Sequence, residues 1–493
     1  MACIACAALA SCTVGPDFQR PQPPSSEGYS AEPLAIQQSS DVSAGGSNQR
    51  LVPDLDIPAQ WWTLFGSEPL TALIEEALKS NADLQSAQAA LRVAQENARA
   101  QKGGYYPSVS AAVSASRNKT ATGSLSAASA SGNPSYTLYS TQVDVLYAPD
   151  IFGAISRSVE SLEAQSEVRR FELEDTYLAL SANLATAVIQ EASLRGQIQA
   201  MAEILSIENE LLGVLQRQNN LGQIAMADVV AQEATVAQTM QTLPGLEKQL
   251  AQQRNLLAAL AGRLPAEVPA HRFQLSELHL PGELPVSLPA RLVEQRPDVR
   301  AAEAALHAAS AQVGVAIANR LPNFNLTATA GAAGSDLAAM FTPGGVFWNL
   351  IAGLTQPIFQ GGTLLHRQKA AEAAYDQASA QYRATVITAF QNVADALHAL
   401  ASDAQAMNAA VAALRAAERS LDIVRRQLQI GQINYTALLA IEQLYQQARL
   451  NVVQAQSNRL SDSVVLFRAL GGGWWNRANV GQTETGALQP NLD

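Results

Sequence analysis

Cys12 is the residue whose chemistry is most legible. It closes Leu9-Ala10-Ser11-Cys12 behind a small apolar run from Ala2, and Cys3, Cys6 and Cys12 are all the cysteines among 493 residues. The tetrapeptide is similar to a bacterial lipobox, in which the thiol is acylated and the cysteine becomes the mature N-terminus. The segment is short and lacks the basic n-region of a complete signal, so a truncated start is the expectation. The competing reading is an Ala-rich tail with a free thiol. The rest of the chain has no cysteine, which excludes a disulfide framework and a Cys-based metal site.

Other side chains point away from catalysis. His271, His279, His307, His366 and His398 are scattered without metal-ligand spacing. No nucleophile–base pair stands out. Gly471-Gly472-Gly473 follows a helical stretch rather than a strand, so it fails the context of a phosphate loop. The expectation is a protein that is not an enzyme and needs no cofactor beyond a covalent lipid on Cys12. A net charge of −11 argues against nucleic acid, where a basic stripe is expected. Apolar residues make up 48% but aromatics only 5%, which suits packed helices. No run of about 18 apolar residues occurs, so no transmembrane helix is expected.

The elements repeat. Arg296–Pro322 aligns without a gap on Asn81–Pro107 at an offset of 215 residues, with seven of 27 positions identical. Each copy is a helical stretch that stops at a proline and runs into an alternating strand. Val109, Ala111, Val113 and Ala115 alternate with small or polar residues, as do Tyr139, Val143, Val145 and Tyr147. The second half repeats this with Phe324, Leu326, Ala328 and Ala330, then Trp348, Leu350, Ala352 and Leu354. These are two hairpins with one apolar and one polar face. A long helical segment follows each. Thr363–Ile430 holds neither Gly nor Pro over 68 residues, while Gly196 and Gly213 are read as interruptions of the first. At 1.5 Å per residue the second spans about 100 Å. Both end in one turn, Leu221-Gly222-Gln223-Ile224 and Ile430-Gly431-Gln432-Ile433, with glycine suited to a left-handed C-cap. Shorter helices return, with Pro244-Gly245 expected to kink the first.

Four strands of about 9–11 residues can cross a membrane if tilted. Backbone groups in lipid must all be paired, so the sheet must close. Known barrels start at about eight strands, so the barrel must be shared between chains.

The chain resembles the TolC-like outer-membrane efflux factors, in particular their lipoprotein branch. The resemblance rests on CTVGPDFQRP (12–21), WWTLFGSEPL (61–70), EQRPDVRAAEAAL (294–306), LTQPIFQGG (354–362) and the paired GQI turns. It implies an α+β fold: a homotrimer with a 12-stranded outer-membrane β-barrel continuous with a long periplasmic α-helical barrel. It implies export of small molecules through a tripartite machine, with a periplasmic adaptor and an inner-membrane pump, most often of the resistance-nodulation-division type. The adaptor is expected at the turns, around 218–227 and 427–437. Relatives narrow the tunnel there, commonly with acidic residues. Here Ala437 and Ala440 stand six and nine residues after Gly431, where those acids would fall. Glu442 is the nearest acid, and Asp228 lies six after Gly222. The gate is therefore read either as hydrophobic, through Leu438 and Leu439, or as using Glu442. A solvated helix face is the alternative for Asp228 and Glu442. Thr13, where an Asp would favour inner-membrane retention in bacterial lipoproteins, points to the outer membrane.

The expected organisation is a signal segment at 1–11, a lipidated extended arm at 12–60 and a first repeat at 61–262 with strands about 107–117 and 137–149. A connector at 263–288, a second repeat at 289–473 with strands about 322–332 and 346–357, and a disordered tail at 474–493 complete it. Two other readings remain: a lipid-anchored periplasmic coiled-coil structural protein, and an outer-membrane duct for protein secretion.

Overall fold

The computed structural model describes residues 13–24, 28–29, 49–119, 135–267, 269–287 and 289–477. The signal segment, Cys12, much of the expected arm and the end of the expected tail lie outside the described residues. The chain divides into two compact units.

The first unit holds Ala90–Arg169, Ala302–Tyr382 and the described residues up to Pro21. At its centre is one antiparallel sheet in the order β2-β3-β5-β6: β2 Ser108–Lys119, β3 Ser135–Tyr147, β5 Asn323–Gly334 and β6 Val346–Thr355. The strands stop short of Pro107, Pro149, Pro322 and Pro357, which lack the N–H a ladder needs. So β3 ends at Tyr147 rather than 149, and β6 at Thr355 rather than 357. Register puts opposed residues on a common face: Val109 opposes Val145, which opposes Ala328, which opposes Leu350. That face is mostly apolar, with Thr141 the exception along its length and Arg117, Lys119, Ser135 and Thr137 at one end. The alternate positions, Ser110, Asp144, Thr329 and Asn349, form the polar face. On the apolar face Val113 is 83% exposed and Trp348 78%. Strands β2 and β6 are the sheet's two edges.

The start of the arm is not loose. The Val14 amide donates to the Phe152 carbonyl at 3.2 Å, and Arg157 donates to Asp17 at 2.6 Å. Phe18 stacks on His307 with ring centres 4.4 Å apart. Arg20 pairs with Glu303 at 3.0 Å. Gly15 has φ of +99°, and a Cβ there would stand 2.4 Å from Gly314 Cα, so only glycine permits this approach.

The second unit lies within Gln22–Ala89, Arg170–Ala301 and Arg383–Asp493. Two short strands, β1 Arg50–Pro53 and β4 Glu283–Val286, pair in parallel. They fall in segments expected to be arm and connector, because four residues with a proline in each carry no alternation to read. Trp61, Trp62 and Phe65 are fully buried, Trp61 stacking on Phe467 at 5.4 Å. The helices are α1 Glu68–Ser80, α2 Ala82–Lys102, α3 Ala154–Asn220, α4 Met226–Leu260, α5 Pro289–Gln295, α6 Pro297–Ala318, a single turn α7 Leu337–Met340, α8 Thr363–Gln429 and α9 Tyr435–Ala469. Several of them have residues in both units.

The two long helices, α3 and α8, are each 67 residues, and the two return helices, α4 and α9, each 35. On α8, Val393, Leu397, Leu400 and Ala404 are all buried, the apolar stripe their spacing predicts. Gly196 and Gly213 do not interrupt α3, which is continuous through both. Gly196 is there for packing: a Cβ on it would lie 3.1 Å from Val453 Cγ1 of α9. Likewise α4 runs through Pro244.

The first four residues of the expected tail, 474–477, are placed by specific bonds. Gly471, Gly472 and Gly473 all take positive φ and turn the chain back. Trp474 Nε1 then donates to the Gln295 carbonyl at 2.6 Å, Trp475 Nε1 to Asp56 at 3.0 Å, and Arg477 to Glu174. The two tryptophans and Arg477 supply the donors that a polar, low-complexity reading of this stretch overlooks.

Candidate functional site

The two helix turns are built alike. Gly222 and Gly431 hold φ of +71° and +74°, and a Cβ at either would meet nothing. Glycine is required there by backbone conformation and not by space. In the first turn the Gln223 amide donates to the Gln218 carbonyl at 2.9 Å and the Gly222 amide to Asn219 at 2.8 Å. In the second, Gln432 donates to Gln427 at 2.9 Å and Gly431 to Leu428 at 3.0 Å. These bonds satisfy the last carbonyls of α3 and α8.

The helices leaving the turns differ. Asn434 caps α9, its Oδ1 accepting from the Ala437 amide at 3.0 Å. Ala225 offers α4 no side-chain cap. Asp228 lies in the first turn of α4, exposed, where the helix dipole favours a negative charge. Ala437 is half-buried and Ala440 exposed, and neither supplies charge. Leu438 and Leu439 are buried within the chain, at 8% and 1% exposure. Their apolar surface is taken up by packing within the chain. Glu442 is not a free carboxylate either, since it accepts from Arg425 of α8 at 3.0 Å.

A ladder of polar contacts ties α9 to α3 above the turns. Tyr435 donates its hydroxyl to Glu210, Gln443 Nε2 donates to Glu208 at 2.9 Å, and Arg449 pairs with Glu203. Burial pushes the Glu208 carboxyl above its ordinary range. Sequence reading missed this ladder, although a signal exists. Glu203 and Glu210 are seven residues apart and Tyr435 and Arg449 fourteen, so each pair keeps to one helix face.

On the polar sheet face a second constellation forms. Asp144 accepts from Thr329 Oγ1 at 2.7 Å and from Gln142 Nε2 at 2.9 Å. The expected anchor, Cys12, is outside the described residues. Its neighbour Thr13 lies against Gly153, at the start of α3 and six residues past the end of β3.

A model of the outer membrane efflux protein family matches residues 73–263 and 288–472. The chain belongs to that family. It is 30% identical over 479 residues to the toluene efflux pump outer membrane protein TtgF of Pseudomonas putida, covering 95% of each chain. It is 28% identical over 476 residues to the cation efflux system protein CusC of Escherichia coli O157:H7, covering 96% of this chain and 98% of that protein. Among solved structures, the outer-membrane channel OprN superposes with a TM-score of 0.81 at 25% identity, over 94% of this chain and all of OprN. The efflux protein described here is thus a TolC-like outer-membrane channel, with its helices forming a periplasmic extension. The two matched segments correspond to its two repeats, each holding one hairpin, one long helix and one turn.

Proposed function

We propose that three copies close one 12-stranded barrel and act as the passive exit duct of a tripartite efflux system. The observation that carries this is the sheet: four strands of 10–13 residues, one mostly apolar face, and two edges without a partner strand among the described residues. At about 3.4 Å per residue a 12-residue strand is about 40 Å long, enough to cross a core of about 30 Å when tilted. An open edge in lipid leaves several kcal/mol of unmade hydrogen bonds per group, so closure by further copies follows. The turns at Gly222 and Gly431 would meet a periplasmic adaptor, and the adaptor would couple the duct to an inner-membrane pump of the resistance-nodulation-division type. Asp228, Ala437, Leu438, Ala440 and Glu442 belong to that end. The paired Glu442 and the ladder to α3 support a closed aperture held by side-chain bonds. No catalysis is assigned to it.

The lipid on Cys12 fits the same reading. Thr13 is docked beside the strand-to-helix junction, so an acyl chain one residue earlier would start near the membrane boundary. Palmitate labelling of wild type and of Cys12→Ala tests the anchor, and label surviving the change refutes it. For the duct, the test is an unboiled gel together with conductance in a planar bilayer. Absence of both an SDS-resistant oligomer and conductance would refute the duct.

A further inference from the structure

We propose that Asp144 sets the charge preference of the duct, making its β-barrel stretch favour cationic over anionic solutes. The inference rests on the closed-barrel reading above, which turns the polar sheet face into the lumen wall. Among the described strand residues, Asp144 is the single charge on that face; its neighbours there are uncharged, with Ser110, Gln142, Thr327 and Asn349 polar but Leu146 and Ile351 apolar. Arg117 and Lys119, the basic residues of the strands, alternate out of phase with it and belong to the apolar face. They also stand at the far end of β2, whereas Asp144 is three residues from the end of β3 that leads into α3. The segment 120–134 joining β2 to β3 contains no ionisable side chain in its sequence, so it brings no counter-charge.

The carboxylate is held in place. Thr329, its direct cross-strand partner on β5, and Gln142, two residues back on β3, each donate to a different oxygen. Both donors are neutral, so they orient the charge without cancelling it. A sheet has little net dipole of its own, which leaves the side chains to set the potential. One fixed carboxylate per chain becomes a ring of them in the assembled barrel. Walls of low dielectric concentrate the field of such a ring on the aqueous path. Ala437 and Ala440, by contrast, put no charge at the second turn.

The zero-current potential of the purified channel in a planar bilayer under a KCl gradient tests this. Wild type is expected to prefer potassium. Because a potential acts with opposite sign on the two ions, loss of about half a kT of lumen potential is roughly a threefold fall in the cation-to-anion permeability ratio, and Asp144→Asn should produce at least that. Ser110 opposes Asp144 on β2 on the same face, so Ser110→Lys should do the same with the carboxylate intact. Glu267→Gln, which removes an exposed charge of the connector, should leave the ratio nearly unchanged, and Asp144→Asn should lower it more than Asp228→Asn does. A wild-type channel with no preference, or a preference for chloride, overturns the proposal. So does a ratio unmoved by both Asp144→Asn and Ser110→Lys, or one that follows Asp228 instead. Absence of any wild-type conductance sinks the duct reading itself, a distinguishable result.

Discussion

Asn81 and Arg296 occupy equivalent positions in the two repeats and perform the same joint. Asn81 Nδ2 donates to the Leu260 carbonyl at 3.0 Å, and Arg296 Nη1 donates to the Ala469 carbonyl at 3.0 Å. Each acceptor is the last residue of a return helix, and each donor immediately precedes the helix that continues it. Asn81 also caps α2, its Oδ1 accepting from the Leu84 amide at 3.1 Å. Arg296 adds a fork to both oxygens of Asp298, at 2.9 and 2.6 Å.

The two joints should differ in cost. Asn81→Ala removes a cap and one bond, so about 1–2 kcal/mol is expected. Arg296→Ala strips a buried guanidinium from Asp298, whose side chain is about a third exposed. A loss of about 3 kcal/mol, the lower end for a broken buried pair, is expected. Denaturation of both variants in detergent ranks them, and the expected order is Arg296 worse than Asn81.

Glycines in α3 should respond in opposite ways. A Cβ at Gly213 would meet only the Arg217 guanidinium at 3.7 Å. Gly213→Ala should therefore stabilise by about 0.8–1 kcal/mol through helix propensity. At Gly196 the facing Val453 leaves no room, and Gly196→Leu should destabilise by about 1–3 kcal/mol. Apparent melting temperatures, one up and one down, are the readout.

The Arg425–Glu442 pair should act on gating more than on folding. Both side chains are partly exposed, at 53% and 21%, so the pair contributes at most about 1 kcal/mol. Glu442→Gln should raise the open fraction in bilayer recordings by no more than about fivefold at low salt. The difference from wild type should shrink in concentrated salt, where the charges are screened.

Stability should fall with rising pH through one carboxyl pair. Burial, then the hydrogen bond and charge of Asp462, push the Asp403 carboxyl up to about 7, with Arg459 opposing. An unfolded aspartate titrates near 3.9. Between about pH 4 and 7 the folded state therefore holds a proton that the unfolded chain has released, and stability declines as pH rises across that window. Below it both states are protonated and the contribution is complete. Melting temperature against pH should show this slope in wild type and lose it in Asp403→Asn.

Docking of the arm should depend on Gly15. Gly15→Val cannot hold φ of +99° or the approach to Gly314. Chymotryptic cleavage after Phe18, which is protected by its stack on His307, should become fast in that variant. Unchanged cleavage would show that the arm is held elsewhere.

The repeat, the two hairpins, the long helices and the glycine turns are legible in the chain alone. Each rests on local physics: a period of two or of 3.6, a proline without an N–H, a glycine at positive φ. The resemblance through the RPDVRAAEAAL stretch and the GQI turns carried the family as well. What tertiary structure decided is which side chains meet. Leu438 and Leu439 look exposed until they pack within the chain, and Glu442 looks solvated until Arg425 reaches it. Gly196 reads as a helix breaker until Val453 is placed against it. The β1–β4 pair joins residues more than 200 positions apart, and no local pattern announces such a partner. Asp144 shows the division most plainly. Alternation alone puts it on the polar face, but only the register brings Thr329 opposite it. Periodicity is a property of one segment, whereas partnership is a property of two, and the chain's order does not state which two will touch.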